Sequence, residues 1–440
     1  EDKLMRKIKL TLSKENTFED YGLIFFLIGI FFLPSSIVIG ILFLFPSFIL
    51  SSLSVNKSFY KDYWNYPFII FGLLITLSAI FQNYLLTNIY AEIWDPKLSL
   101  IGLGNWLPLI WVFWAAQTYL NSNSKRKLFS LILVAGTFPV LITGFGQYFL
   151  NWTGPFTTLN GLIIWYQRPI ENPGGLSGLF SNQNYAASWL NFVWPFCIAL
   201  FFEKSNNIFK KTTTLSFLIS TGMAAFLTFS RNAWLGLFTS IPIVLGKKGV
   251  KFILPLITIL ILVITFSFSP IFQGELQNSI RNLLPGKILL EFSNEGYKEL
   301  DITRIGIYKS ALELIKENPF FGTGAGSFTE IFYSNTNFWK GHSHNLLLEL
   351  SLSYGLPATI IFFITVTTLI YLSFKKIFFS KKITDISYID KAFWTALFFF
   401  FISQLSDVQY FDGKISLVTW ILMAGLKNII LDKDFKTLTR

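Results

Sequence analysis

Residues 345–374 read NLLLELSLSYGLPATIIFFITVTTLIYLSF, and Glu349 is the one charge in the run. About 20 such residues cross a hydrocarbon core of roughly 30 Å. Backbone N–H and C=O groups at that depth must find partners within the segment itself, so the run predicts a membrane-spanning helix. Working outward, runs of the same kind recur near 20–33, 36–53, 66–83, 99–120, 128–150, 184–202, 212–229, 232–246, 250–271, 345–373, 389–406 and 415–430. The sequence therefore predicts an all-α polytopic integral membrane protein of about twelve spans.

Composition points the same way. Of 440 residues, 52% are hydrophobic, 18% aromatic and 14% charged, which excludes an ordinary water-soluble enzyme. The net charge of +11 does not imply nucleic acid, because the lysines sit in short clusters between apolar runs. Cytoplasmic loops close to span ends accumulate Lys and Arg. With both termini cytoplasmic, the clusters Lys125 to Lys127, Lys204 to Lys211, Lys247 to Lys251 and Lys375 to Lys382 all fall inside. The lone cysteine, Cys197, lies in an apolar run, which leaves no intrachain disulfide and no cysteine-based metal site. Lys3, Arg6, Lys7 and Lys9 ahead of the first run imitate a signal peptide, but no small-residue cleavage site follows, so the run reads as a first anchor.

Residues 1–271 are expected to carry nine spans, with an external connection near 151–183. Residues 272–344 form a large external loop, and 345–440 carry three spans and a cytoplasmic tail. Both long connections fall outside, and function is expected there. No internal repeat of the inverted-transporter kind and no low-complexity tract is visible.

Arginine is distributed differently from lysine. Arg6, Arg126 and Arg440 are cytoplasmic on this topology, whereas Arg168, Arg231, Arg281 and Arg304 are external. Arg grips phosphate bidentately and keeps its proton, so this placement points to an anionic, phosphorylated ligand; the competing reading is interfacial snorkelling. Arg231 sits in Ser230-Arg231-Asn232 between two spans, which pins it at the outer mouth of the bundle. Arg304 opens an amphipathic stretch, Asp301 to Asn318, in which Tyr308, Ala311, Leu312 and Ile315 recur at helical spacing before Pro319. It falls on that apolar stripe, opposite Lys309, Glu313, Lys316 and Glu317, and should point into the bundle mouth.

Both histidines lie in Gly341-His342-Ser343-His344-Asn345. His344, in the last external turn before the span, can serve as a general base near neutral pH; a capping or interfacial histidine is the alternative. Two histidines two apart, with no nearby Asp, Glu or Cys pattern, make a weak zinc signal, and no metal is expected. Glu349 shares a helical face with Asn345 and could orient a base or an acceptor. Three further patterns have plainer readings. Gly322, Gly324 and Gly326 form a turn without the Lys-Ser/Thr of a P-loop. Asp432-Lys433-Asp434 reads as a solvated tail, and Glu291, Glu295 and Glu299 as a solvent face.

Gly178-Leu-Phe-Ser-Asn-Gln-Asn184-Tyr-Ala-Ala is followed by Ser230-Arg231 and by Arg304. Then come Asn318-Pro-Phe-Phe-Gly322-Thr-Gly324-Ala-Gly326-Ser-Phe and His344-Asn345 with Leu348-Glu349 and Gly355. Together this set resembles the O-antigen ligase and polymerase family of bacterial envelope glycosyltransferases, over roughly residues 160–365 by motif. The resemblance implies a GT-C-like membrane fold and an active site on the periplasmic side of the inner membrane. It also implies a donor glycan on a polyprenyl (undecaprenyl) diphosphate, with lipid A core or a growing glycan as acceptor. Carried over, it assigns Arg231 and Arg304 to the diphosphate and His344 to the base role, and Arg168 lies in the loop where polymerase members also keep a functional Arg. With Arg168, the residues Asn184, Arg281, His342, Asn345 and Glu349 are the substrate-binding candidates. A second glycine expected soon after Gly355 is Ala358 here, which leaves ligase or polymerase open.

The chemistry such a reaction needs is modest. A glycosyl diphosphate carries its own leaving group, so the protein must neutralise the diphosphate, align the anomeric carbon and take a proton from an acceptor hydroxyl. No metal or other cofactor is demanded, and attack opposite the diphosphate inverts the anomeric centre. The readings from other classes are an inorganic-anion (bicarbonate) transporter and a flippase. A transporter usually places ionisable residues or broken helices at mid-membrane, and these spans offer hardly any.

Overall fold

The structure is a computed structural model that describes residues 17–54, 59–84, 92–170, 174–268, 274–283, 304–379 and 387–432. In chain order the elements are α1 (Thr17–Phe32), α2 (Ile37–Ser54), α3 (Asn65–Tyr84), α4 (Lys97–Gly102), α5 (Leu107–Ala115), α6 (Asn123–Gly136) and α7 (Phe138–Leu150). A hairpin of β1 (Phe156–Thr158) and β2 (Ile163–Trp165) follows, then α8 (Gln183–Phe202), α9 (Ile208–Leu227), α10 (Arg231–Leu245) and α11 (Lys247–Phe268). The chain ends with α12 (Glu275–Leu283), α13 (Arg304–Glu317), α14 (Ser327–Thr336), α15 (Leu346–Tyr354), α16 (Leu356–Phe379), α17 (Tyr388–Ser403) and α18 (Gly413–Leu431).

Helix occupies each run that the sequence marks as apolar. Among the described residues, seven stretches are long and apolar enough to cross a membrane: Ile37–Ser54, Asn65–Tyr84, Lys97–Tyr119, Asn123–Leu150, Gln183–Phe202, Leu356–Phe379 and Gly413–Leu431. The chain is a multi-pass membrane protein. The all-α expectation misses the small hairpin, where Phe156 pairs with Trp165 and Thr158 with Ile163 in antiparallel register. Central in the bundle are α8 and α18, where Trp189, Phe192, Phe196, Trp420 and Met423 are fully enclosed. Outer helices turn Leu42, Leu73 and Ile364 outward, as a surface facing lipid requires.

The run that opened the reading is not one helix. Gly355 adopts φ +87°, and a Cβ there would come within 2.1 Å of the Phe320 carbonyl oxygen, so only glycine fits the turn. Helix α15 stops there, and α16 restarts with Leu356 N–H bonded to Pro319 O at 2.8 Å. The predicted 345–373 span is thereby corrected: the membrane-length helix begins at Leu356, and His344, Asn345 and Glu349 belong to a separate nine-residue helix and its cap.

A second correction concerns the Arg304 helix. Its buried face is Ile307, Ala311, Leu314 and Ile315, packed on Phe328, Ile331, Phe332, Leu348 and Leu352, whereas Leu312 is 48% exposed. Of the predicted stripe, Ala311 and Ile315 are buried and Tyr308 packs at the edge, whereas Leu312 turns outward and Ile307 and Leu314 complete the face that meets α14 and α15. Residues 301–303 and Glu291, Glu295 and Glu299 lie outside the described residues.

The two ends of α8, roughly 30 Å apart, differ in character. At its C-terminal end Glu203 pairs with Lys127 and Lys210. Beside it the buried Arg126 guanidinium meets Asp390 at 2.8 Å and Asp432 at 3.0 Å, and its Nη1 donates to Leu120 O. Lys427 and Asp62 form a further buried pair. Asp432 is therefore no solvated tail: an arginine enclosed in the bundle needs anionic partners, and the chain end supplies one, while Lys433 and Asp434 lie outside the described residues. Asp390→Ala is expected to cost about 3 kcal/mol by leaving that charge underpaired. Thermal unfolding in detergent checks this, and an unchanged transition rejects it.

Candidate active site

The other end of α8 gathers the candidate catalytic side chains. Asn345 caps α15, its Oδ1 accepting from Leu347 N–H at 2.9 Å and Leu348 N–H at 3.3 Å while its Nδ2 donates to Leu405 O at 3.1 Å. These bonds make Asn345 a positioning residue. The buried Glu349 carboxylate accepts from Ser343 N–H at 2.8 Å, which ties the loop down from the opposite side. Held between them, His344 takes φ +56°, a left-handed conformation uncommon for a residue with a Cβ. That twist turns the two imidazoles toward each other, edge to face, with ring centres 4.5 Å apart.

The residue they face is Asp407, between α17 and α18. His344 Nδ1 lies 2.7 Å from Asp407 Oδ1, and His342 Nε2 lies 3.8 Å from the same oxygen. The other oxygen accepts from Asn184 Nδ2 at 2.9 Å, at the start of α8, and from Gln409 Nε2 at 2.8 Å. Gln409 is fixed in turn by Ser188 and Gln404. Burial alone would raise the Asp407 carboxyl, but the His344 hydrogen bond, the two neighbouring imidazoles and the Arg304 guanidinium outweigh it and hold the group below the usual carboxylate range. The ionised carboxylate then accepts a hydrogen bond from His344 Nδ1–H, which leaves Nε2 as the basic nitrogen. His342 differs: burial, with His344 and Arg304 nearby, pushes its pKa down to about 4, so it stays neutral.

His342, His344 and Asp407 place ligand-competent atoms within 4.8 Å of one another, a grouping that a two-residue histidine spacing could not reveal. His342 Nδ1 accepts from His344 N–H at 3.1 Å, so in the neutral ring the proton sits on Nε2, the nitrogen facing Asp407. Both imidazoles then turn an N–H toward the carboxylate.

The four arginines that the sequence reads as external separate. Arg304 begins α13, one turn before Tyr308, whose hydroxyl donates to Leu405 O at 3.3 Å and reaches His344 O at 3.5 Å. Its charge acts on both His342 and Asp407. Arg231 begins α10, and the next residue, Asn232, accepts from Ser406 Oγ at 3.1 Å, beside Asp407. Arg168 and Asn184 line one polar cavity of about 420 Å³. Arg281 goes elsewhere: its Nε donates to Ser267 O at 2.5 Å, closing the C-terminal end of α11.

The glycine turn is structural. Thr323 and Gly324 N–H groups both donate to Leu352 O, at 2.7 and 3.1 Å, and Trp94 Nε1 donates to Ala325 O at 3.0 Å. It locks the end of α15 against α3 and α4 and offers these amides to no anion.

Asp407 is the functional residue that the sequence reading overlooked. Its signal was a polar cluster, Ser403-Gln404-Leu-Ser-Asp407-Val-Gln409, closing an apolar run on the same side as His344.

Comparison with known proteins adds one match. No curated protein matches the chain. Residues 215–363 match the family described as O-antigen ligase, a segment that includes Arg231, Arg281, Arg304, His342, His344, Asn345 and Glu349 and leaves out Arg168, Asn184 and Asp407. That segment carries the sequence pattern of the O-antigen ligase family, the one to which the arginine and histidine motifs point.

Proposed function

We propose that the protein is a membrane glycosyltransferase of the O-antigen ligase type, moving a glycan from a polyprenyl diphosphate to an acceptor hydroxyl at the periplasmic face. The observation that carries this is the His344–Asp407 pair at 2.7 Å, with Nε2 left basic and Arg304 alongside. His344 Nε2 takes the acceptor proton as the acceptor oxygen bonds to the anomeric carbon. The bond from that carbon to the diphosphate oxygen breaks, and the electron pair leaves on the polyprenyl diphosphate. Arg231 and Arg304 neutralise that anion. Attack from the opposite face inverts the centre, and no step requires a metal.

The ionisable groups support an enzyme over a transporter. The buried cations Arg126 and Lys427 gather with their carboxylates at the end of the bundle away from the histidines, instead of lining a mid-membrane path. Asp407, Asn184 and Gln409 likewise form a fixed polar cluster at the rim.

The test is transfer by the purified protein in lipid nanodiscs, with polyprenyl-diphosphate glycan as donor and either lipid A core or a second repeat unit as acceptor. A single addition identifies a ligase, and a size ladder on the repeat unit identifies a polymerase. Absence of transfer to both, together with uptake of labelled bicarbonate into vesicles, overturns the proposal. Arg304→Gln and Arg231→Gln are each expected to lower transfer by about 10- to 150-fold, the worth of one charge-assisted contact. Lysine should restore only part of it, having lost the bidentate fork. Loss below threefold in either glutamine variant removes that arginine from the diphosphate site.

A further inference from the structure

The strap that presents Arg168 is fixed on both sides. Gln147 is saturated: its Nε2 donates to Arg168 O at 2.7 Å and Ser177 Oγ at 2.9 Å, and its Oε1 accepts from Ser177 and Gly178 N–H groups at 2.8 and 3.0 Å. The preceding residue, Gln167, is buried and bonded to Thr143 O and Trp152 O at 3.1 and 2.8 Å. The backbone is therefore immobilised while the Arg168 side chain stays exposed over the 420 Å³ cavity. Ser177, Ser181, Gln183 and Asn184 supply hydroxyl and amide groups around it. Among the described lining residues Arg168 is the one charge, with no carboxylate and no aromatic ring.

Such a wall suits a polyhydroxylated ligand with one negative charge. Among the described lining residues no aromatic ring offers a neutral sugar face a platform, and the Arg168 guanidinium supplies the positive charge that an anion needs. Position ties the cavity to the reaction, because Asn184 both lines it and donates to Asp407, whose other oxygen binds His344. A residue seated there lies close along the glycan chain from the reacting one.

Resting on the transferase reading, we propose that this cavity binds an acidic sugar residue, one bearing a carboxylate or phosphate, and that Arg168 determines specificity for it. The acidic residue can belong to the donor glycan or to the acceptor. Matched donors and matched acceptors, carrying a uronic acid, a phosphorylated hexose or the neutral hexose at one position, separate the two sources. The expected result is an acidic-over-neutral ratio of kcat/KM of about tenfold or more for one partner, falling to about one in Arg168→Gln and partly restored in Arg168→Lys. A ratio of one with every partner in the unmodified protein, or a ratio that survives Arg168→Gln, overturns the proposal. Saturation-transfer NMR with the free acidic disaccharide needs no lipid donor, and its signal should vanish in Ser181→Trp, which fills the cavity. Binding without any transfer would leave this site standing and remove the transferase reading, whereas transfer blind to charge would do the reverse.

Discussion

His344→Asn is expected to lower glycan transfer by about 10²- to 10⁴-fold, the range of a positioned general base. Asparagine is the informative replacement because the position has φ +56°, which Asn tolerates better than other residues with a Cβ. The loop, its Glu349 anchor and the Asn345 cap should therefore survive, so that a loss of rate reports on the imidazole. Donor affinity, measured as protection against thermal unfolding by polyprenyl diphosphate, should hold, since the arginines are intact. Transfer within tenfold of the unmodified protein would remove the base assignment.

Asp407→Asn carries the second large effect, again on the order of 10²- to 10⁴-fold in kcat. The carboxylate now accepts three hydrogen bonds, from His344, Asn184 and Gln409. An amide can satisfy only part of this set. With its oxygen toward Asn184 and Gln409 it presents N–H to His344 Nδ1, and the imidazole proton must move to Nε2, where the base lone pair is needed. With its oxygen toward His344 it sets its own N–H groups against two other donors. Asp407 is a positioning residue, so the expected signature is a fall in kcat with acceptor KM changed less than threefold. A rise in KM at constant kcat would instead place Asp407 on the substrate.

Much of the site was legible because charge is scarce in this chain. Arg231, Arg304 and His344 stand out against apolar spans, and the fold brings all three near the Asp407 loop. Asp407 itself was hidden, since its partner lies 63 residues away and hydropathy cannot say which short connections meet. Arg281 has the same residue type and side as the others, yet it closes a helix end; only packing distinguishes the two roles. Hydropathy also fused α15 with α16, because a break made by one glycine leaves the apolar run unbroken. The face of α13 was ambiguous for a related reason. Ile307 and Leu314 compete with Leu312 for burial, and the neighbouring α14 and α15 decide between them.

The carboxylate that orients His344 arrives on the connection before α18, the last described helix. Chains emerge from the ribosome N-terminal end first. On the transferase reading, a nascent protein whose histidine loop is already made still lacks the group that sets the ring's proton until the Asp407 connection joins it.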